Sequence, residues 1–245
     1  MLLSLENIKK TSQADLIVVN AENAAGGFGL LPEQAQQLFH HGVNVITSGN
    51  HIWQREEIYP MLDQHDRLLR PDNYPQGAPG HGWVILQHHN EKIAVMNLQG
   101  RIRMANMVDC PFKAAKNILK KVRSQSALIF LDMHAEDTLE KQALAHFLDG
   151  KITGMVGTHT HVQTMDEGIL PQGTAYIGDL GLCGSISGVI GSTVEGALLR
   201  YTTQLPCRSV PSKEDIVIQG VCITADTASG KSVSIERIHH PLLLS

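Results

Sequence analysis

Short apolar runs, each closing on a polar tip, punctuate the chain. Asp15-Leu16-Ile17-Val18-Val19-Asn20 has the unbroken aliphatic character of a strand buried on both faces, and it runs out at Ala21-Glu22-Asn23. After the glycine-rich Gly26-Gly27-Phe28-Gly29, Pro32 is suited to open a helix that continues through Phe39 and is closed by Gly42. A second strand, Val43-Asn44-Val45-Ile46-Thr47, ends at Ser48-Gly49-Asn50-His51. Strand, polar tip, helix, strand and polar tip make the rhythm of βαβ units.

The pattern continues downstream. Arg70 to Gly82, rich in proline and glycine, reads as a long loop, and strands are predicted at Trp83–Gln87 and Ile93–Asn97. Phe112 to Arg123 has helical periodicity and feeds the strand Ala127-Leu128-Ile129-Phe130-Leu131, which ends at Asp132-Met133-His134. Asp137-Thr138-Leu139-Glu140 resembles a capping box with Asp as the cap, starting a helix to about Leu148. A strand around Gly154-Met155-Val156 follows and ends in Gly157-Thr158-His159-Thr160-His161. Ile216–Thr224 and Ser232–Ile238, joined through Thr227-Ala228-Ser229-Gly230, read as a hairpin.

Composition narrows the class. With 245 residues, 42% hydrophobic and 18% charged, the sequence can bury a core and has no signature of disorder, and one domain over 1–245 is expected. A net charge of −4, with Lys120-Lys121-Val122-Arg123 as the one short basic stretch, argues against a surface for polymeric nucleic acid. Cys110, Cys183, Cys207 and Cys222 are widely spaced and are read as reduced, mostly buried thiols. No apolar run reaches the ~20 residues of a membrane span, and the first residues do not make a signal peptide, so a cytoplasmic location is expected.

What stands out is 13 histidines, several at strand tips. In open α/β sheets ligands bind beyond the carboxyl ends of the strands. Glu22-Asn23, Asn50-His51, His134 and His159-x-His161 are therefore expected to converge. Singly, each has a plain alternative: a loop cap, a turn, a core histidine, or exposed histidines. Together, imidazoles, a carboxylate able to bridge and amide oxygens make a mixed N/O set suited to Fe, Mn or Zn. Two such metals about 3.5–4 Å apart would be hydrolytic equipment for phosphoryl chemistry. If His159 and His161 lie on one strand, their rings share a face. His40-His41 and His239-His240 are read as solvent-facing, His88-His89 resembles a hairpin turn and is left unassigned, and Gly26–Gly29 is read as a loop beside the site, since it lacks both glycine-rich nucleotide patterns.

At Gly49-Asn50-His51 and Gly157-Thr158-His159-Thr160-His161 the sequence resembles the calcineurin-like metallophosphoesterases. Asn20–Ala25, Thr47–Trp53, Arg70–Pro75, Asn97–Arg101 and Gly157–Thr164 resemble more closely the bacterial YmdB-type branch, in order along the chain. The resemblance implies a four-layer α/β/β/α sandwich with mixed sheets, a dinuclear centre of two transition metals, Fe or Mn ahead of Zn, and hydrolysis of small phosphodiesters such as 2′,3′- or 3′,5′-cyclic nucleotides. It implies that Glu22 bridges the metals, that Asn50, His134 and His159 complete one shell, and that Asn23 and His161 serve the other. His51 corresponds to the active-site histidine that donates a proton or stabilises charge, and a hydroxide between the metals would be the nucleophile. Arg70, Asn73 and Arg101 are candidates for the substrate rim, and equally for holding loops. Asp132 is a candidate to orient a histidine, and Asp179 to approach the site.

The family opens with a strand ending in Gly-Asp, and that Asp ligates the metal shared with Asn23 and His161. Here Met1–Lys10 resembles the helix that follows, so the first strand and its Asp are expected to be absent. Either the working protein is longer or the polypeptide lacks an interior strand and one ligand. The former is favoured because the other ligands are present and an excised central strand would leave backbone groups unpaired. On the latter, the Asn50/His134/His159 metal would persist and the other would bind weakly. The expected partner is a small-molecule phosphodiester, with no membrane surface and room for a homo-oligomer. The alternatives are a phosphomonoesterase or nucleotidase on the same scaffold, or a weakly catalytic metal- or nucleotide-binding regulator.

Overall fold

Strands β1 (Val18–Asn20) and β2 (Val45–Thr47) pair in parallel across helix α2 (Pro32–His40), as the βαβ rhythm predicts. The computed structural model describes residues 2–207 and 209–242, and Met1 of the predicted opening helix lies outside them. Helices α1 (Leu2–Thr11) and α3 (Tyr59–Gln64) join α2 in covering the outer face of this small sheet. The shared core includes Leu5, Leu30, Leu38, Ile46, Ile58 and Leu62.

The main sheet has six strands in the order β3-β4-β5-β6-β8-β7: β3 (Trp83–His88), β4 (Glu91–Gln99), β5 (Leu128–His134), β6 (Gly154–Thr158), β8 (Ala175–Ile177) and β7 (Gly168–Ile169). The pairs β4/β5, β5/β6 and β6/β8 are parallel, while β3 and β7 lie antiparallel at the edges. Helices α4 (Pro111–Val122) and α5 (Thr138–Leu148) cover one face. Strand β9 (Cys183–Ser185) pairs with β10 (Ile216–Ala225), which forms the expected hairpin with β11 (Ser232–Pro241), and α6 (Val194–Thr203) lies between β9 and β10 in the chain.

Strand alternation decides what each layer receives. On β4 and β5, Ala94, Met96, Leu98, Ile129, Leu131 and Met133 point to the helices, where each buried aliphatic side chain contributes roughly 1.5–3 kcal/mol. The intervening residues, Val95, Asn97, Asp132 and His134, face the smaller sheet. On β2, Ile46 joins the outer core, whereas Val45 packs with Leu69, Val84 and Val95 between the sheets. The layers therefore run helix, sheet, sheet, helix, as expected, and the inner space turns polar toward the strand tips.

Three local expectations need correction. Asp137 does cap α5, accepting the Glu140 N–H at 2.8 Å, but the Glu140 carboxylate does not close the box; it accepts the backbone N–H groups of Arg101 and Ile102 at 2.9 and 3.1 Å. The cysteines are free but not mostly buried: Cys183 is exposed and the other three are half-buried. Strand β6 ends at Thr158, so His159 and His161 are not strand residues. Among the described residues no helix is long and apolar enough to cross a membrane.

Candidate metal centre

Glu22, Asn23, Asn50, His51, His134, His159 and His161 come together at the tips of β1, β2, β5 and β6. His134 is the hub. Its Nε2 lies 2.9 Å from Asn50 Oδ1, 3.1 Å from His159 Nδ1 and 3.2 Å from Glu22 Oε1. Close packing against Gly49 fixes the ring, since a Cβ at that position would overlap it.

The far side of the ring settles its tautomer. Thr158 gives its hydroxyl proton to Asp132 Oδ1 at 2.7 Å, so its oxygen can only accept from His134 Nδ1, 3.0 Å away. Nδ1 therefore carries the proton and Nε2 presents a lone pair. Asp132 is itself held by Thr47 at 2.5 Å and Asn20 at 3.0 Å; burial raises its pKa and those hydrogen bonds oppose the rise. The predicted orienting role of Asp132 is thus exerted through Thr158, which sequence reasoning missed. Its signal was a polar residue at an inward position of an otherwise apolar strand.

His159 is built the same way: Nε2 faces Glu136 Oε2 at 3.3 Å, leaving Nδ1 to face the hub. Around His134 Nε2 there are thus three more lone-pair atoms, from Asn50, His159 and Glu22. Buried acceptors facing one another repel unless a proton or a cation lies between them. Electrostatics agree: burial lifts Glu22 to about 7, against the His51 N–H bond that lowers it, and burial foremost holds His134 well below the ordinary histidine range. With Glu22 raised and His134 lowered, a proton shared across this contact belongs to the carboxyl and not to the ring. Glu22, His134 and His159 each offer a ligand atom within 4.8 Å of the others, and the donor set fits a divalent transition metal.

The second half of the expected centre is looser. His161 Nε2 is 3.1 Å from Asn23 Nδ2, and its Nδ1 donates to the Ile190 carbonyl at 3.3 Å. Asn23 turns its amide nitrogen to His161 and its oxygen to His51 Nδ1 at 2.8 Å, so ligation beside His161 requires the amide to turn over. The two histidines reach the site through left-handed backbone, φ 114° at His159 and 63° at His161, not through strand alternation. The turn between them is pinned by Asp179, which accepts the Thr160 N–H at 2.9 Å and pairs with Lys141 Nζ at 3.0 Å.

His51 stands beside these groups, its backbone N–H on Glu22 Oε2 at 3.1 Å and its ring 5.0 Å from that of Phe28, which places the Gly26–Gly29 loop next to the site. Burial foremost, then His159 and His161, lowers its pKa. Two rim candidates are corrected. Arg70 is buried and spends its guanidinium on the carbonyls of Pro71, Ala78, Pro79 and Gly80. Asn73 is equally buried, bonded to Gln99 and Asp109. Both hold the 70–82 loop. Arg101 is exposed, with its backbone anchored by Glu140.

The family described as YmdB-like protein matches residues 2–238. A 2′,3′-cyclic-nucleotide 2′-phosphodiesterase of Bacillus subtilis (strain 168) is 40% identical over 231 residues, 94% of this chain and 87% of that one. Among solved structures, a hypothetical protein from Thermus thermophilus superposes with TM-score 0.91 at 34% identity, covering 98% of this chain and 92% of its own. A phosphatase from Mycoplasma pneumoniae gives TM-score 0.91 at 33% identity, over 98% and 87%.

Proposed function

The chain belongs to the YmdB-like family, and on that footing we propose that it is a metal-dependent phosphodiesterase acting on small diesters, 2′,3′- or 3′,5′-cyclic nucleotides among them. The observation that carries the reading is the convergence of Asn50 Oδ1, His159 Nδ1 and Glu22 Oε1 on the unprotonated Nε2 of His134. Glu22, Asn50, His134 and His159 would hold one metal, and Asn23 and His161, with Glu22 shared, a second. Fe or Mn suits this imidazole, amide and carboxylate set, with Zn as the alternative. Metals held by these residues would supply a water of lowered pKa and charge to offset that of the phosphoryl group. The four-donor position is the tighter of the two.

The chain's own residues do the rest. Thr158 and Glu136 orient His134 and His159 and fix which nitrogen each presents. His51, with Nδ1 on Asn23, directs Nε2 outward. The negative charge of an arriving diester favours protonation of that nitrogen, from which it can stabilise the phosphoryl group or release a proton to the leaving oxygen. Arg101 remains the rim candidate for the rest of the substrate. A cytoplasmic location is part of this proposal, and free thiols are compatible with a reducing compartment.

The test is turnover of bis-p-nitrophenyl phosphate against p-nitrophenyl phosphate by protein reconstituted with Mn(II) or Fe(II). Diester cleavage that falls at least a hundredfold in His51→Ala, with metal content kept, is expected. Monoester cleavage alone would replace this reading with the phosphomonoesterase one, and metal uptake without turnover would replace it with the regulator.

A further inference from the structure

Asp15, His88 and His89 form a second cluster, unconnected with the chemistry above. Each offers a ligand atom, and these atoms lie within 4.8 Å of one another. Neighbouring residues on a strand point to opposite faces. Here His88 ends β3, and His89 has left-handed backbone at φ 50°, which brings the two rings to the same side with centroids 4.3 Å apart. Asp15 arrives from the segment between α1 and β1, 73 residues earlier by numbering. None of the three side chains has a hydrogen-bond or ion-pair partner among the described residues, and Asp15 and His89 are exposed, so ions in solution reach them.

The cluster sits at the other end of the sheets from the candidate centre. The β3–β4 turn precedes Glu91, while Gln99 at the far end of β4 lies in register with His134; eight residue steps along the strand separate the two ends, about 27 Å. Asp15 likewise precedes β1, whose opposite end delivers Glu22.

We infer that Asp15, His88 and His89 bind a borderline divalent metal ion, of which Zn(II) is the type, as an inter-sheet staple. Two imidazoles and one carboxylate with a water completing the shell are a donor set for such an ion, at bond lengths of ~2.0–2.2 Å. Drawing the ligand atoms inward costs little, because none of the three side chains has a hydrogen bond or ion pair to give up among the described residues. The staple fastens the turn of the edge hairpin in the six-stranded sheet to the segment that leads into the two-stranded one. It has no part in turnover, and its effect is to hold the two sheets together at the end remote from the active site.

The experiment uses protein carrying its catalytic metals, freed of loose ions by gel filtration and titrated with Zn(II) by calorimetry. Wild type takes up one more Zn(II) per chain than the His88→Asn/His89→Asn double variant. Zn(II) raises the thermal midpoint of wild type by several degrees and leaves that of the variant unmoved. Asp15→Asn, which leaves the hairpin turn intact, weakens the same binding event at least tenfold. Equal uptake and equal thermal shifts in wild type and both variants overturn the proposal.

Discussion

Lys141 and Asp179, 2% and 1% exposed, meet at 3.0 Å behind the turn that carries His159 and His161. The same Asp179 oxygen accepts the Thr160 N–H, so a buried ion pair fixes the backbone from which two candidate ligands project. Removing one partner of such a pair strands a buried charge, at a cost of about 3–5 kcal/mol. Lys141→Met is therefore expected to lose stability of that order in urea denaturation. Lys141→Met/Asp179→Leu should recover part of the loss while failing to restore metal content, because Thr160 remains untied. Restoration of both would show that the pair serves stability alone.

Thr158 links Asp132 to His134, and Val is its near-isostere without the hydroxyl. In Thr158→Val, His134 Nδ1 loses its acceptor and the ring loses the bond that fixes its tautomer. Metal affinity should drop 10–100-fold, the usual cost of losing a partner behind a ligand. Calorimetric titration with Mn(II), with far-UV circular dichroism to verify the fold, measures it. Unchanged affinity would mean that Gly49 packing alone orients the ring.

Strands β2 and β5 were legible in the sequence because they are largely apolar and buried, whereas the burial on both faces expected of β1 fails, since Val18 is 38% exposed and the strand pairs with β2 alone among the described residues. The tips of β1, β2, β5 and β6 gave the candidate ligands because polarity begins where the apolar runs stop. Helix α6 was not legible, since it buries no residue and so carries no apolar stripe to read. Strands β7 and β9, of two and three residues, are too short for any period. The partners behind the ligands, Thr158, Glu136 and the Lys141/Asp179 pair, are set by contacts 19 to 38 residues apart and have no local signature. Reading His159 and His161 by strand alternation reached the right residues for the wrong reason, because β6 stops before them. Arg70 and Asn73 resembled a substrate rim in the sequence, yet a loop crossing buried ground must have its carbonyls and N–H groups satisfied, and these side chains do that.

The raised pKa of Glu22 gives metal binding a definite pH dependence. At pH 6, below the value of about 7, Glu22 holds a proton that a metal must displace, whereas His134, well below the ordinary range, is already neutral and contributes none. One proton is thus released from Glu22 when the first metal binds, and apparent affinity for that metal falls about tenfold per pH unit below 7 and levels off above it. Mn(II) titrations at pH 6 in buffers of different ionisation enthalpy count that proton. Glu22→Gln should bind more weakly and lose this pH dependence; the same slope in wild type and variant would assign the proton to another group.

Ile190 and Gly191 form a two-residue turn, with Val189 and Ser192 exchanging N–H to carbonyl hydrogen bonds at 2.8 and 3.0 Å. Both central residues have positive φ, 44° and 90°, the combination that favours Asn-Gly and disfavours a β-branched residue. Left-handed backbone costs such a residue roughly 1–2 kcal/mol. The Ile190 side chain is 56% exposed and recovers little of this through packing, while its carbonyl holds His161 Nδ1. Ile190→Asn keeps that carbonyl and suits the turn. It should raise stability by about 1 kcal/mol in chemical denaturation and leave metal content and diester turnover within about twofold of wild type. A more stable variant whose KM for the diester rises severalfold, with metals retained, would instead show that the exposed isoleucine contacts substrate and that the strained turn is kept to present it.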